Sequence, residues 1–249
     1  MTKKLPFYFL APIIIILIWQ VASSFVNPLF LSSPIETFLK VSQLLSLEKS
    51  SIFKDLFATF SRLLVGYALG AVIGIIVGLC LGYSKRIYDA FEFIIDFFRS
   101  IPVTALFPIF LLLFGIGNTA KIAVVVWACS FIVLINTMYG VHSISRTKIK
   151  VGQVFNITKK DLFTKIIFPE SLPSIFAGMR TALSLGLIVA VFTEMFIGTR
   201  VGLGHRIINA QLLFLTSEIY ALIIITGILG YLLNKVFLSI ENRVVHWNK

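Results

Sequence analysis

Charge is scarce in this sequence. Only 13% of its 249 residues are Asp, Glu, Lys or Arg, and just 11 of those are acidic. A soluble domain of this size cannot hide a chain that is 58% hydrophobic with 24 Phe, so lipid must be the solvent for much of it. Cysteine is nearly absent: Cys80 and Cys129 both sit inside apolar runs, where a thiol behaves as a small hydrophobe, and they form neither a disulfide framework nor a metal motif. The three histidines, His142, His205 and His246, have no second ligand at helical or turn spacing, so no metal site is expected. No G-x-x-x-x-G-K-[ST] motif occurs. The nearest run, Gly115 to Lys121, has the wrong spacing for a phosphate loop. No catalytic constellation can be assembled, so no catalytic residue is expected, and an enzyme reading has no chemistry to stand on.

What is present is a series of long apolar runs. The spans expected are 7–26, 63–83, 94–114, 122–141, 181–198 and 219–240, each long enough to cross roughly 30 Å of hydrocarbon. The first run, Phe7 to Val26, suits a retained spanning helix better than a cleaved signal. The fold class is therefore an all-α membrane helix bundle of about six spans in one domain. The formal net charge of +11 lies in short segments between these runs, which favours membrane flanks over a nucleic-acid surface. Lys3, Lys4, Lys85, Arg86, Arg146, Lys148, Lys150, Lys159, Lys160, Lys165, Lys235, Arg243 and Lys249 fall on one side. Only Lys40, Lys49, Lys54, Arg62, Lys121, Arg200 and Arg206 fall on the other. The first side is the cytoplasmic one by this rule, and both termini are expected there.

Two segments outside the spans read as helices. Ser33, Pro34 and Glu36 form an N-cap, first-turn proline and N3 acid ahead of Ile35, Phe38, Leu39 and Leu45 at helical spacing. In the loop 142–176, Thr158 and Asp161 form a capping pair before Leu162, Phe163, Ile166 and Ile167, and Pro169 is expected to stop the helix. This cytoplasmic amphipathic helix fits contact with a partner protein, or a position on lipid headgroups that Lys159, Lys160 and Lys165 would also suit.

Three features stand out within the spans. Gly66, Gly70, Gly74, Gly78 and Gly82 recur every four residues and make one smooth helical face, a packing seam along which helices could slide. Glu194 lies deep in an apolar span, so it should face the bundle interior or an aqueous cavity, touching substrate or pairing with a neighbouring helix. Asp96 and Arg99 can pair at a three-residue helical spacing, and Pro102 and Pro108 mark where the third span could bend.

These residues resemble a known family. The run Arg99-Ser100-Ile101-Pro102, then Ala105, Phe107-Pro108, Phe114-Gly115-Ile116-Gly117 and Lys121-Ile122 is similar to the third-helix signature of ABC importer permeases of the nitrate, sulfonate, taurine and bicarbonate branch. Phe168-Pro169-Glu170-Ser171-Leu172-Pro173, Gly178-Met179-Arg180, Glu194-Met195 and Gly202-Leu203-Gly204 follow in the right order. The resemblance implies a type I importer permease with the MetI-like fold. In such an importer two permeases form the pathway, two separate ATPases hold ATP and Mg, and an extracytoplasmic solute-binding protein delivers a small anion or organic nutrient.

The resemblance also implies that the cytoplasmic loop docks on the ATPase through a coupling helix. The family's Glu falls here on Lys150, its two Ala on Val151 and Gly152, and its turn Gly on Asn156. With the acid and turn glycine replaced, the contact is expected to rely on Phe155, Leu162, Phe163 and the flanking lysines, with Phe168 and Pro169 closing the motif. Arg99, Pro102, Pro108 and Glu194 are expected along the translocation pathway. The rival is a stand-alone secondary transporter or channel, for which the sequence offers no convincing internal repeat.

Overall fold

The computed structural model describes residues 5–46, 52–198 and 200–247, and among these there is helix but no strand. Lys3, Lys4, Lys49 and Lys249 of the charge count lie outside the described residues. The helices are α1 (Leu5–Phe25), α2 (Pro34–Leu45), α3 (Ile52–Tyr83), α4 (Lys85–Ser100), α5 (Phe107–Phe114), α6 (Asn118–His142), α7 (Arg146–Val154), α8 (Lys159–Leu162), α9 (Phe168–Phe196), α10 (Leu203–Leu212) and α11 (Thr216–Val244). Four are long and apolar enough to cross a membrane: α3, α6, α11, and the continuous stretch Lys159–Phe196 that contains α9. A bent pair makes a fifth, and the apolar α1 stands beside them, its outward aliphatics (Ile15, Leu17, Ile18) left for lipid.

The centre is α6, flanked by α3 and α9. Leu63, Tyr67 and Ala71 of α3, Val124, Val125, Cys129 and Val133 of α6, and Ala182, Leu187 and Ala190 of α9 form one buried core. Small residues let the backbones approach closely, the usual solution where lipid offers no hydrophobic drive between helices. A second core joins α10 and α11 through Leu203, Ile207, Leu222 and Ile225. The capping pair read for α2 is present: Ser33 Oγ accepts the Glu36 N–H at 3.2 Å. Its apolar residues Ile35, Phe38 and Leu39 point outward, while Pro34, Thr37 and Leu44 are buried.

Three expected boundaries are corrected. The second span begins at Ile52 rather than 63, because Asp55 and Arg62 are buried inside the helix instead of lying in a loop. Lys121, also assigned to a loop, is buried in the first turn of α6.

The third span is not continuous over 94–114. Ile101 is extended (φ −76°, ψ 122°), the conformation a following proline imposes, and the chain turns by 86° between α4 and the 3-10 turn Val103–Leu106 that leads into α5.

Pro169 does not stop a helix. A π-turn at Phe163–Ile167 precedes it, with the Phe168 N–H reaching back five residues to Phe163 O. The helix that carries the fifth span therefore starts at Lys159 and not at 181. Wide turns of this kind let a helix pass a residue that lacks an N–H donor.

Candidate functional site

The loop between α6 and α9 folds into a knob at the end of the bundle where α3 meets α4. Thr158 caps α8, accepting the Asp161 N–H at 3.1 Å and donating to its carboxylate at 2.8 Å. Between α7 and α8 the chain reverses at Asn156, which takes φ +50°. Asn is among the few residues other than Gly that adopt this conformation at low cost, so the turn survives without its glycine. Gly152 is buried beneath the reversal, where a Cβ would lie 2.8 Å from Ile157 Cδ1 and 3.0 Å from Leu162 Cδ1. Replacing Asn156 with Val should cost about 1–2 kcal/mol for the β-branched side chain at positive φ. Asn156→Gly should melt like the parent, as differential scanning fluorimetry of the two purified variants would show.

The faces of the knob differ from the expectation. Leu162 and Phe163 turn inward. They pack on Val141, Ile144 and Ile167, with the Phe163 ring 6.0 Å from Tyr83 and 6.5 Å from Phe168, so they anchor the knob to the bundle. Phe168 and Pro169 are half-buried at the start of α9. Lys148 ties α7 to α9 through Glu170 at 2.7 Å, and Lys165 pairs with Asp161 at 2.7 Å. Val154 and Phe155 are left projecting at 79% and 76% exposed, with Val151, Lys150, Lys159 and Lys160 around them.

The five glycines on α3 all face α6. A Cβ on any of them would come within 2.6–2.8 Å of an α6 atom, and at Gly70, Gly74 and Gly78 that atom is a backbone carbonyl oxygen.

Glu194 is buried at the opposite end of the bundle within a polar network. It pairs with Arg62, accepts from Thr59 Oγ1 at 2.8 Å and accepts from the Gly204 N–H at 3.1 Å. Arg62 also donates to Asn118 Oδ1 and to Val201 O, both at 2.9 Å. Asp55 accepts the Gly202 N–H at 2.8 Å and pairs with Arg206, which pairs in turn with Glu218. Gly202 has φ +143°, and a Cβ there would lie 2.6 Å from the Glu194 carboxylate, so the Gly202-Leu203-Gly204 turn closes directly over the acid. Lys121 is buried within electrostatic reach of Arg62 and Glu194. Five helices, α3, α6, α9, α10 and α11, and one turn are thus joined by a network in which Arg62, Lys121 and Arg206, expected in loops, take part. Asp55, Thr59 and Arg62 are spaced four and three apart, and they continue the glycine face of α3. That periodicity was the available signal.

The remaining pathway residues lie elsewhere. Arg99 pairs with Asp96 at 3.2 Å on the last turn of α4, as the spacing predicted. Pro102 forms the break beside it, and Pro108 is in the first turn of α5. The broken helix, α6 and α9 line a half-open pocket of about 350 Å³, bordered by Arg99 but not by Glu194. Its wall carries an aromatic cluster: Trp127 lies 5.5 Å from Phe98 and 4.9 Å from Phe131. Among the described residues no cluster of His, Cys, Asp or Glu could hold a metal ion.

Comparison with known proteins agrees with this architecture. The family described as "Binding-protein-dependent transport system inner membrane component" matches residues 70–247. The chain is 35% identical to the nitrate import permease protein NrtB of Synechocystis sp. over 191 residues, covering 77% of this chain and 69% of that one. It is 31% identical to the formylaminopyrimidine transport permease protein ThiX of Halalkalibacterium halodurans over 238 residues, covering 95% and 94%. A chain of the inward-facing MetNI methionine ABC transporter superposes with a TM-score of 0.68 at 20% identity, covering 78% of this chain and 95% of that one, which establishes the shared fold.

Proposed function

This chain belongs to the family of binding-protein-dependent transport system inner membrane components, the permeases of ABC importers, and on that premise we propose that it forms half of a solute pathway driven by a separate ATPase. The observation that carries the reading is the knob. Two large apolar side chains, Val154 and Phe155, stand in solvent on a turn held rigidly to the bundle by Gly152, Leu162, Phe163 and the Lys148–Glu170 pair. An exposed apolar tip on a rigid mount is what a docking partner requires, and it gives a motor a lever onto α9. The nucleotide and its Mg stay on the partner, and this chain supplies the lever and the pathway wall.

The other members of the assembly are a second permease, identical or paralogous, and an extracytoplasmic solute-binding protein. The cargo is a small anion or small organic nutrient, the two kinds named for the nitrate and formylaminopyrimidine relatives. The knob end is assigned to the cytoplasm of a cell-membrane protein, with both termini on that side. Burial of Arg62 and Lys121, with Arg206 paired and half-buried in the network, leaves fewer solvated cations at the opposite end, which supports that assignment.

Phe155→Asp tests the coupling directly. Because the side chain is exposed, the variant should fold and purify as a monodisperse permease while recovery of the co-expressed ATPase falls at least tenfold. Undiminished recovery of the ATPase would sink the coupling role of the tip.

A further inference from the structure

Lys121, in the first turn of α6, is the largest fully buried side chain among the described residues and is only 1% exposed. It lies within electrostatic reach of Arg62 and Glu194, yet among the described residues its ammonium makes no hydrogen bond or ion pair. Every acid of the network is committed elsewhere. Glu194 holds Arg62, the Thr59 hydroxyl and the Gly204 N–H. Asp55 holds Arg206 and the Gly202 N–H, and Glu218 holds Arg206 and Lys40. Four cations (Lys40, Arg62, Lys121 and Arg206) thus meet three acids (Asp55, Glu194 and Glu218), and Lys121 is the one left over.

The backbone adds to this positive excess. The first N–H groups of a helix have no intrahelical acceptor and carry its positive end. α6 begins at Asn118 with no side-chain cap, and Ala120 in that turn is fully buried. The Asn118 carboxamide oxygen is turned to Arg62, from which it accepts at 2.9 Å. Helical side chains lean toward the N-terminus of their own helix, which sets the Lys121 ammonium back beside the same turn.

An ammonium withdrawn from water needs a counter-charge. A second permease cannot supply it, because a side chain 1% exposed within its own chain is beyond the reach of a neighbour's carboxylate. Water alone brings hydrogen bonds but no charge, and it leaves Lys121, Arg62 and a helix N-terminus facing the single Glu194 carboxylate. A small anion answers both needs, since it accepts from the ammonium and from free backbone N–H groups at once. Burial selects a compact monovalent ion, whose hydration can be exchanged for these few donors.

We propose that Lys121 and the first turn of α6 hold a resident monovalent anion of halide size, which balances the cluster of Lys121, Arg62 and Glu194 at the end of the bundle opposite the knob. The ion is a structural part of the fold and not its cargo, so the assignment does not depend on the permease reading.

The test is thermal unfolding of the purified permease in lipid nanodiscs, titrated with sodium chloride while sodium gluconate, too large for such a site, holds the ionic strength constant. Chloride should raise the midpoint saturably, by about 5 °C at about a hundredfold excess over its dissociation constant. Lys121→Met, similar in length and uncharged, should abolish the rise and should unfold in gluconate no lower than the parent. Crystals of the parent grown in bromide give a reading that needs no variant: an anomalous peak is expected within hydrogen-bond distance of Lys121 Nζ. A midpoint that ignores chloride, which is the result if Lys121 carries no charge, overturns the assignment. So does a full chloride response in Lys121→Met, a response that never saturates and so reports general salt screening, or bromide found only on surface lysines.

Discussion

Gly74→Leu is expected to yield no folded permease. The seam it belongs to is packed backbone against backbone: a Cβ at position 74 would sit 2.6 Å from Ser130 O, 2.8 Å from Val133 Cβ and 2.9 Å from Leu134 N. Two of those three atoms are backbone and cannot rotate away. Even Ala must push α3 off α6, at the about 1–3 kcal/mol typical of overpacking. Leu would open the seam along several turns and strip contacts from Tyr67, Val125 and Cys129 in the core. Size-exclusion chromatography of a fluorescent fusion reads the outcome directly, with the monodisperse peak lost for Leu and reduced for Ala. The Ala variant is the sharper instrument for the sliding role proposed for this seam. A seam that stays shut through the transport cycle tolerates no Cβ, so normal yield and normal uptake by Gly74→Ala would mean that α3 and α6 separate readily.

The glycine row was legible because a period of four on one helix face has a single geometric meaning. The capping pairs at Ser33 and Thr158 were legible for the same reason, each being a local pattern with a local consequence. The misreadings came where distant parts of the chain decide. Pro169 looks like a stop signal, yet the π-turn before it absorbs the missing donor, because packing of Phe163 and Ile167 on α6 keeps the helix going. Pro102 marked the place of the bend in the third span, but its apolar run is long enough to be one continuous span, and the extended Ile101 before it makes the bend a break. The inward turn of Leu162 and Phe163, with Phe155 outward, depends on how the reversal at Asn156 aims the two short helices. Helical spacing alone could not reveal which face the bundle would claim.

Charge burial was the deepest of these gaps, and it carries the second large effect. Glu194→Leu is expected to destabilise the permease by about 3–5 kcal/mol, the range for breaking a buried ion pair from one side. Arg62 would keep its bonds to Asn118 and Val201 but lose the carboxylate beside it, in a part of the fold where both side chains are almost wholly removed from solvent. The other carboxylate oxygen, Oε2, accepts from Thr59 and from the Gly204 N–H, so the loss spreads to the turn that seats α10 against α9. Removing both charges, as Arg62→Leu with Glu194→Leu, should recover a substantial part of the deficit, because neither member of the pair is then left facing a vacated partner. Thermal unfolding of the parent, the two single variants and the double variant in one detergent closes that cycle. A double variant less stable than the sum of the singles predicts would show that the pair is not the clamp. In that case the backbone bonds of the Gly202 to Gly204 turn, with Asp55 and Thr59 accepting from it, would carry the junction instead.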